Sequence, residues 1–366
     1  MATLKRELAD AVSALPSALN PLALSLNENP FPPLPAVRSA LIESIDAANR
    51  YPEYLPERLR SLIAGRVGVH DEQVVIGAGA TGVILQVLLA VTSPGDKMVM
   101  TSPTFDGYPI FAQMARLESV SVALDVHGHH DLDALAGAAA HARVVVVCRP
   151  HNPTGTVEPA ADIERFLRRV PADTVVLLDE AYVEFLSPEF RIDAPALVEQ
   201  YPNVVVLRTF SKAYGLAGLR IGYGFCAPDL ARRLWAMQPP FGIGIASLVA
   251  VAASYDAESQ LQQRIRMISA ERRYLGMQLR SMGAYSTDSH AKLRLPAAVA
   301  PAVAGGIRRH RVAGPPLRGW QRANHGRQPA VHPRGAGRCG ADRTALRICP
   351  AIAGACGMKG RGLATG

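Results

Sequence analysis

The sequence predicts an α/β protein whose central β-sheet is mostly parallel. From Val74 onward, short apolar runs of strand length alternate with helical stretches, the order expected of parallel strands joined by crossover helices. Several runs are apolar at consecutive positions, as expected of strands that helices cover on both faces. Glycine and polar residues recur directly after these runs, at the sheet edge where ligands bind in such folds.

The predicted elements follow an irregular, proline-rich arm at residues 1–35. Helical apolar spacing covers Ala36–Asn49. The strand-like runs that follow are VVIGA, KMVMTSP, VVVVCRP, VVLLDE and VVVLRTFS, with helical stretches such as GATGVILQVLLAV and PAADIERFLRRV between them. We expect residues 36–245 to form a large domain. Residues 246–291 have a mostly helical pattern and are expected to begin a smaller one.

The charge of the chain is divided unevenly. The 366 residues carry a formal net charge of +8, yet residues 1–291 hold 25 Lys and Arg against 30 Asp and Glu, whereas residues 292–366 hold 14 against one. The basic excess that would suggest a nucleic-acid partner therefore belongs entirely to the last 75 residues. No apolar run is long enough for a bilayer, the N-terminus is a poor secretory signal, and the five cysteines lack metal-ligand spacing. We expect a cytoplasmic protein without a membrane, nucleic-acid or metal partner.

Each motif after a strand also has a purely structural interpretation. GAGATG is typical of a tight turn before a helix whose N-terminus can bind phosphate, and its glycines also fit the spacing of a dinucleotide site. No acidic residue ends a second strand about 20 residues later, as that site requires. HNPTG alone indicates a turn, Asp179 and Glu180 could cap a helix or bind a metal, and Lys212 could be a surface lysine.

Together, and in this order, the motifs GAGAT, SPTF, HNPTG, DEAY and SKAYGLAGLR resemble the aspartate-aminotransferase fold (fold type I) of pyridoxal-phosphate enzymes. Within this fold, the motifs most resemble the subgroup of histidinol-phosphate and aromatic amino-acid aminotransferases. Two further stretches, LNEN at Leu26–Asn29 and NRYPE at Asn49–Glu53, also resemble that subgroup. The resemblance extends from about Leu24 to Ala291. It implies a large domain with a mostly parallel seven-stranded sheet, and a smaller α/β domain that is incomplete here.

The resemblance assigns the central chemistry to Lys212. This lysine would form a Schiff base with the aldehyde of pyridoxal 5′-phosphate, and an amine substrate would displace it. The freed amine would then move a proton between the substrate Cα and the cofactor. Asp179 would pair with the pyridine nitrogen, which keeps the ring protonated and makes it a better electron sink.

The other contacts that the resemblance implies surround the ring and the phosphate. They are Tyr182 and Asn152 at the phenolic oxygen, Phe105 on the ring face, the main-chain N–H groups of Ala80 and Thr81 with Thr209, Ser211 and Arg220 at the phosphate, Tyr51 at the phosphate of a neighbouring subunit, and Asn27 and Asn152 at the substrate. The role of Tyr51 implies a homodimer. Arg149 and His151 stand where the family usually has Asn, and Thr81-Gly82 where an acid or serine followed by Glu is common. None of these departures removes an implied contact to the cofactor.

Resemblance ends at Ser289–Ala291, and the remaining 75 residues include 13 Gly and 7 Pro. Such a composition does not readily bury a core, so a basic arm for RNA or DNA is one interpretation. A change of reading frame is the second and more specific interpretation of these residues. If one base is removed from the Lys292 codon, residues 292–296 can encode Asn-Phe-Val-Tyr-Leu, as the family has there. The same shift permits TGLRVRPY across His310–Leu317 and ARITVG across Arg322–Arg327, and the latter contains the family's arginine for the substrate carboxylate.

The sequence therefore predicts transamination between histidinol phosphate or an aromatic amino acid and 2-oxoglutarate. A decarboxylase on the same scaffold, of the threonine-phosphate type, needs the same lysine and electron sink, so the motifs do not separate the two. The third alternative is an inactive, frame-disrupted aminotransferase, because loss of the carboxylate-binding arginine removes a bidentate charge pair.

Overall fold

The computed structural model describes residues 17–18 and 26–292 of the chain. Most of the N-terminal arm and the basic tail, with the predicted change of frame, lie outside the described residues. The described residues belong to a single compact unit. The boundary between a large and a small domain at residue 245 remains a prediction.

Seven strands form one sheet at the centre of the molecule. They are β1 (Val74–Gly77), β2 (Lys97–Ser102), β3 (Glu118–Ala123), β4 (Val144–Cys148), β5 (Val175–Asp179), β6 (Val204–Thr209) and β7 (Gly222–Cys226). Their order in the sheet is β1-β7-β6-β5-β4-β2-β3. Only β7 runs antiparallel to its two neighbours, and the remaining neighbours pair in parallel. The predicted mostly parallel, seven-stranded sheet is confirmed.

Helices pack on both faces of this sheet. They are α1 (Pro35–Glu43), α2 (Glu57–Val67), α3 (Ala80–Val91), α4 (Gly107–Met114), α5 (Leu132–Ala139), α6 (Ala160–Leu167), α7 (Ala194–Gln200), α8 (Pro228–Trp235), α9 (Ile245–Asp256) and α10 (Glu258–Ser281). The single helix expected over Ala36–Asn49 is wrong at its second half, where Ile45–Asn49 forms a separate 3₁₀ turn. The Ser44 hydroxyl donates to the carbonyl of Leu41 at 2.9 Å, and a serine that bonds back to its own helix favours such a break.

Apolar side chains cover both faces of the central strands. On β5, Val176 and Leu178 belong to the core on one face, and Val175 and Leu177 to the core on the other. Burial of each such side chain stabilises the fold by about 1.5–3 kcal/mol. Strand β3 lies at the edge and is only partly covered, which explains its mixed sequence ESVSVA. The consecutive apolar runs thus mark the inner strands.

Three connections meet at one edge of the sheet. Cys148 at the end of β4 pairs with Asp179 at the end of β5, so these two strands end level with each other. Because β7 is antiparallel to β6, its first residue, Gly222, pairs with Thr209, the last residue of β6. The segment after β4, the segment after β5 and the return from β6 to β7 therefore converge. They carry Asn152, Asp179, Lys212 and Arg220 among the predicted site residues.

Candidate active site

One end of the site is the N-terminus of α3, which begins at Ala80. No side chain caps this helix, so its first N–H groups face outward and favour an anion. Gly79 has φ +78°, and a Cβ there would lie 2.7 Å from Nη2 of Arg220. A Cβ on Gly222 would lie 2.4 Å from the main-chain nitrogen of Ala80. Both glycines are therefore needed for the close approach of Arg220 and β7 to this helix end.

Arg220 brings a positive charge to the same place. Its Nη2 lies 3.4 Å from the carbonyl oxygen of Ala78 and 3.4 Å from Oγ1 of Thr81. Nearby, the Thr209 hydroxyl donates to Oγ of Ser211 at 3.1 Å, and both residues are buried. A guanidinium, two hydroxyls and free N–H groups are the donors that bind phosphate. The structure thus brings together Ala80, Thr81 and Arg220 at the helix end, with Thr209 and Ser211 at the end of β6.

Asp179 occupies the other end of the site. It is 5% exposed, its Oδ1 accepts the N–H of Ala181 at 2.9 Å, and its Oδ2 accepts the hydroxyl of Tyr108 at 2.6 Å. Burial raises the pKa of Asp179, although the two hydrogen bonds and the charge of Lys212 oppose that rise. A cation placed next to this carboxylate would lower the pKa of Asp179 further and so stabilise its charged form.

Tyr182 follows Asp179 by three positions in the chain and is almost fully buried. Its hydroxyl makes no hydrogen bond of good geometry within the described residues. Burial raises the pKa of Tyr182, and the neighbouring Asn27 side chain opposes that rise only in part. The hydroxyl therefore stays protonated and can donate to an anionic oxygen. Asn152 and Phe105 are half-buried at the ends of their strands, and the Phe105 ring meets that of Tyr108 edge-on with centroids 5.3 Å apart.

Lys212 follows β6, with its amine 5.7 Å from the centroid of the Tyr182 ring. The amine donates to the carbonyl of Asn27 at 3.1 Å and, more weakly, to that of Leu26 at 3.5 Å. Burial lowers the pKa of Lys212, while the charge of Asp179 opposes this effect. A lysine with a lowered pKa has more of the neutral amine that attacks carbonyl carbon.

A second amine, that of Lys292, lies at the same N-terminal segment and donates to the carbonyl of Glu28. Lys292 is half-buried, and burial together with the charge of Lys212 lowers its pKa to about 7. Sequence reasoning did not reveal this neighbour of Lys212, because its position depends on the path of the chain after α10.

The two departures in CRPHNPTG are explained by hydrogen bonds within the fold. Arg149 is fully buried and donates to the carbonyls of Glu158 at 2.7 Å and Phe190 at 2.6 Å. The two ring nitrogens of His151 lie 3.3 Å from the Thr101 hydroxyl and 2.8 Å from that of Thr154. Arg149 and His151 therefore hold the loop that carries Asn152.

Sequence reasoning missed two further residues at the site. Tyr108 lies on α4, where its spacing is typical of a core position, and its bond to Asp179 joins elements that are far apart in the chain. Asn29 donates to the main chain of Lys212 at 2.9 Å. The predicted Tyr51 is 82% exposed and its ring lies 4.9 Å from that of Phe241, so within this chain it is outside the cluster.

The residues present fit pyridoxal phosphate. The unpartnered hydroxyl of Tyr182 suits its phenolic oxygen, the buried carboxylate of Asp179 suits a protonated ring nitrogen, and the glycine-lined helix end with Arg220 suits the phosphate. The described residues contain no group of three side chains that could hold a metal ion. Among them, no helix is long and apolar enough to cross a membrane.

The sheet and the residues at its edge define a fold-type I α/β protein with a lysine at its centre. The profile of the family "Aminotransferase class I and II" matches residues 20–301, and the chain belongs to that family. It is 44% identical to the aromatic amino acid aminotransferase of Cutibacterium acnes over 254 residues, which are 69% of this chain and 72% of that one. The corresponding protein of Streptomyces avermitilis is 43% identical over 270 residues, covering 73% of this chain and 75% of the other.

Solved structures agree with this assignment. The histidinol-phosphate aminotransferase of Sinorhizobium meliloti, crystallised in complex with pyridoxal-5′-phosphate, superposes with a TM-score of 0.69 at 27% identity. The match covers 76% of this chain and 79% of that structure. The family and the transferase class that the motifs predicted are confirmed.

Proposed function

We propose that this chain binds pyridoxal 5′-phosphate through Lys212 and transfers the amino group of an aromatic amino acid to 2-oxoglutarate. The observation that carries the proposal is the position of the Lys212 amine, which lies over the Tyr182 ring and is acted on by the charges of both Asp179 and Arg220. The relatives at 43–44% identity bear the name aromatic amino acid aminotransferase, which favours an aromatic donor over histidinol phosphate.

Each residue has a defined task in this proposal. The cofactor, when bound, supplies a carbon that bonds covalently to amines and a ring that accepts the electron pair left at the substrate Cα. Asp179 holds the proton of the ring nitrogen in place, and Tyr182 and Asn152 donate to the phenolic oxygen. Arg220, Thr209, Ser211 and the first N–H groups of α3 hold the phosphate. The Lys212 amine would take a proton from the substrate Cα and hold it as an ammonium group while the amino group is transferred.

We further propose that the chain acts as a cytoplasmic homodimer. Tyr51, Tyr54 and Phe241 form an exposed aromatic cluster, with the rings of Tyr54 and Phe241 meeting edge-on at 5.2 Å. Three exposed aromatic rings in contact favour a protein interface. A dimer through this face would bring Tyr51 to the partner's phosphate site. Within the described residues, Cys148 and Cys226 are free thiols, which suits a reducing compartment.

The first test is the visible absorption spectrum of the purified chain with pyridoxal phosphate, before and after borohydride reduction. We expect a band that reduction fixes onto the Lys212 peptide, no such label in Lys212→Ala, and an unchanged label in Lys292→Ala. Label on Lys292, or spread over surface lysines, would contradict the proposal. Phenylalanine, tyrosine and histidinol phosphate would then be offered singly, and release of CO₂ instead of an oxoacid would support the decarboxylase.

The tail has its own test. Resequencing the Lys292 codon shows whether an extra base is present, and a chain with the restored frame can be made in parallel. We expect the restored chain to have a kcat/KM at least about 100-fold higher, because it regains an arginine paired with the substrate carboxylate. Equal activity of the two chains would show that the tail as encoded supplies what catalysis needs.

A further inference from the structure

The loop that carries Lys212 has two carbonyl groups in need of a partner. The loop is closed by the N–H of Leu216, which donates to the carbonyl of Phe210 at 2.9 Å. Within the described residues, no main-chain N–H donates to the carbonyl of Lys212 or of Ala213. Ala213 is only 1% exposed, and a buried carbonyl without a donor is destabilising.

Asn29 supplies the donor for both. Its Nδ2 donates to the carbonyl of Lys212 at 2.9 Å and to that of Ala213 at 3.0 Å. Its Oδ1 accepts the N–H of Phe31 at 3.0 Å. Because carbonyls only accept and the N–H group only donates, these three bonds fix which end of the amide faces the loop. Gly215, with φ +73°, packs against the Asn29 side chain, since a Cβ there would lie 3.4 Å from it.

The segment that carries Asn29 also contacts the other end of Lys212. The carbonyls of Leu26 and Asn27 accept the Lys212 amine, so the four residues 26–29 hold this lysine at both its main chain and its side chain. We propose that Asn29 is a positioning residue that fixes the main chain of Lys212 and thereby the place from which its amine acts. This inference rests on the proposed function in that Lys212 is taken as the reacting amine.

The physical need for such a residue follows from the lysine side chain. The flexible four-carbon stem of lysine lets its amine take many positions, so the position of Cα decides which atoms the amine can reach. A misplacement of about 1 Å at a reacting group can cost about 100-fold in rate. Asn29 holds the two peptide groups on the C-terminal side of the Lys212 Cα, where a shift of the loop would move the whole side chain.

The experiment compares Asn29→Ala with Asn203→Ala. Asn203 lies far from the site and its Nδ2 likewise donates to two main-chain carbonyls, those of Pro171 at 3.2 Å and Thr174 at 2.8 Å. We expect Asn29→Ala to lower kcat about 10- to 100-fold with KM changed less than about threefold. Asn203→Ala is expected to lose a similar amount of thermal stability and to keep kcat within about twofold. Equal kcat in both variants would overturn the proposal.

A second readout does not depend on activity or on the cofactor. The lysines of the apoprotein are labelled by reductive ¹³C-methylation, and the Lys212 resonance is identified by its absence in Lys212→Ala. Because burial lowers the pKa of Lys212, release of its loop in Asn29→Ala should raise that pKa toward the ordinary value, and Asn203→Ala should not. An unchanged pKa in Asn29→Ala would overturn the proposal even if no chain transaminates. The expected rise in a chain without transaminase activity would instead support Asn29 and refute the proposed function.

Should Asn29→Ala fail to fold, Asn29→Asp serves in its place. The aspartate keeps an acceptor for the N–H of Phe31 and nearly the same volume, but it cannot donate to the two carbonyls. We expect the same loss of kcat as for the alanine variant. Retention of wild-type kcat in a folded Asn29→Asp protein would refute the positioning role.

Discussion

Asp179 and Glu180 are adjacent acids at the end of β5, and their side chains have opposite surroundings. Glu180 is fully buried, and its Oε2 accepts Nε of Arg208 at 3.0 Å and Nη2 at 2.8 Å. Asp179 has no cation in direct contact within the described residues, and only neutral groups, Tyr108 and Ala181, donate to it. One acid is already paired, and the other is available to a ligand.

The neighbouring cations show the same difference. Burial disfavours the charged guanidinium of Arg208, but the charge and hydrogen bonds of Glu180 outweigh this and raise its pKa. Burial lowers the pKa of Lys212, which lies four positions further along the chain. The pair at Arg208 thus serves stability, and the unpaired groups at Lys212 and Asp179 retain the reactivity that chemistry needs.

The sharpest test of this contrast is the replacement of Lys212. Lys212→Ala removes both the covalent partner and the proton carrier, so we expect transamination to fall about 10⁴-fold. The free energy of unfolding should change little, since no ion pair is lost. Half-transamination kinetics and urea denaturation measure the two effects. A variant that retained activity within tenfold would mean that another amine performs the chemistry.

Arg208→Gln should have the opposite effects: a large loss of stability and little change in the reactivity of Lys212. Loss of one partner from a buried pair leaves Glu180 uncompensated, so we expect the free energy of unfolding to fall by about 3–5 kcal/mol. The fraction that stays folded should still be labelled at Lys212 by borohydride. Urea denaturation of the apoprotein gives the first quantity, and peptide mapping gives the second. A small stability loss with a large activity loss would break the distinction between the two acids.

Tyr108→Phe tests the neutral donor to Asp179. The 2.6 Å hydrogen bond lowers the pKa of Asp179, so its removal should raise that pKa and weaken the hold on a protonated ring nitrogen. We expect kcat to fall at least about 10-fold, in keeping with about 1.5–3 kcal/mol for a hydrogen bond to a charged group. Tyr255→Phe is the matched control, because that buried hydroxyl has no hydrogen-bond partner within the described residues. Equal kcat values in the two variants would exclude a role for the Tyr108 hydroxyl.

A dependence of stability on pH is expected from Glu184, near the Arg208 pair. Burial raises its pKa to about 7 from 4.5, so the folded state binds more protons than the unfolded state between these two values. The stability of the wild type should therefore decline as pH rises from 4.5 to 7, by about 2.5 kcal/mol from this group. Glu184→Gln should remove that decline. Urea denaturation across this range measures it, and parallel curves for the two proteins would contradict the expectation.

The sequence was sufficient for the inner strands and for most of the site. Consecutive apolar runs identified β4, β5 and β6, and the motifs after them placed Asn152, Asp179 and Lys212 at one edge. It did not reveal Tyr108, because a tyrosine among apolar helical residues is typical of a core. Nor did it reveal Asn29 as a partner of the Lys212 loop, since a contact across more than 180 residues follows from the tertiary path alone.

The direction of β7 has a consequence for how this chain can vary in length. Since β7 returns directly alongside β6, Lys212 and Arg220 stand on a single short return between two hydrogen-bonded strands. An inserted or deleted residue there would shift the amine and the guanidinium relative to each other, because only a single 3₁₀ turn, Ala217–Leu219, lies between them. The crossover connections elsewhere in the sheet begin at this edge but pass through helices before they reach the next strand. Libraries for altered specificity should therefore hold residues 210–221 at constant length and place insertions after the crossover helices, at the opposite edge of the sheet.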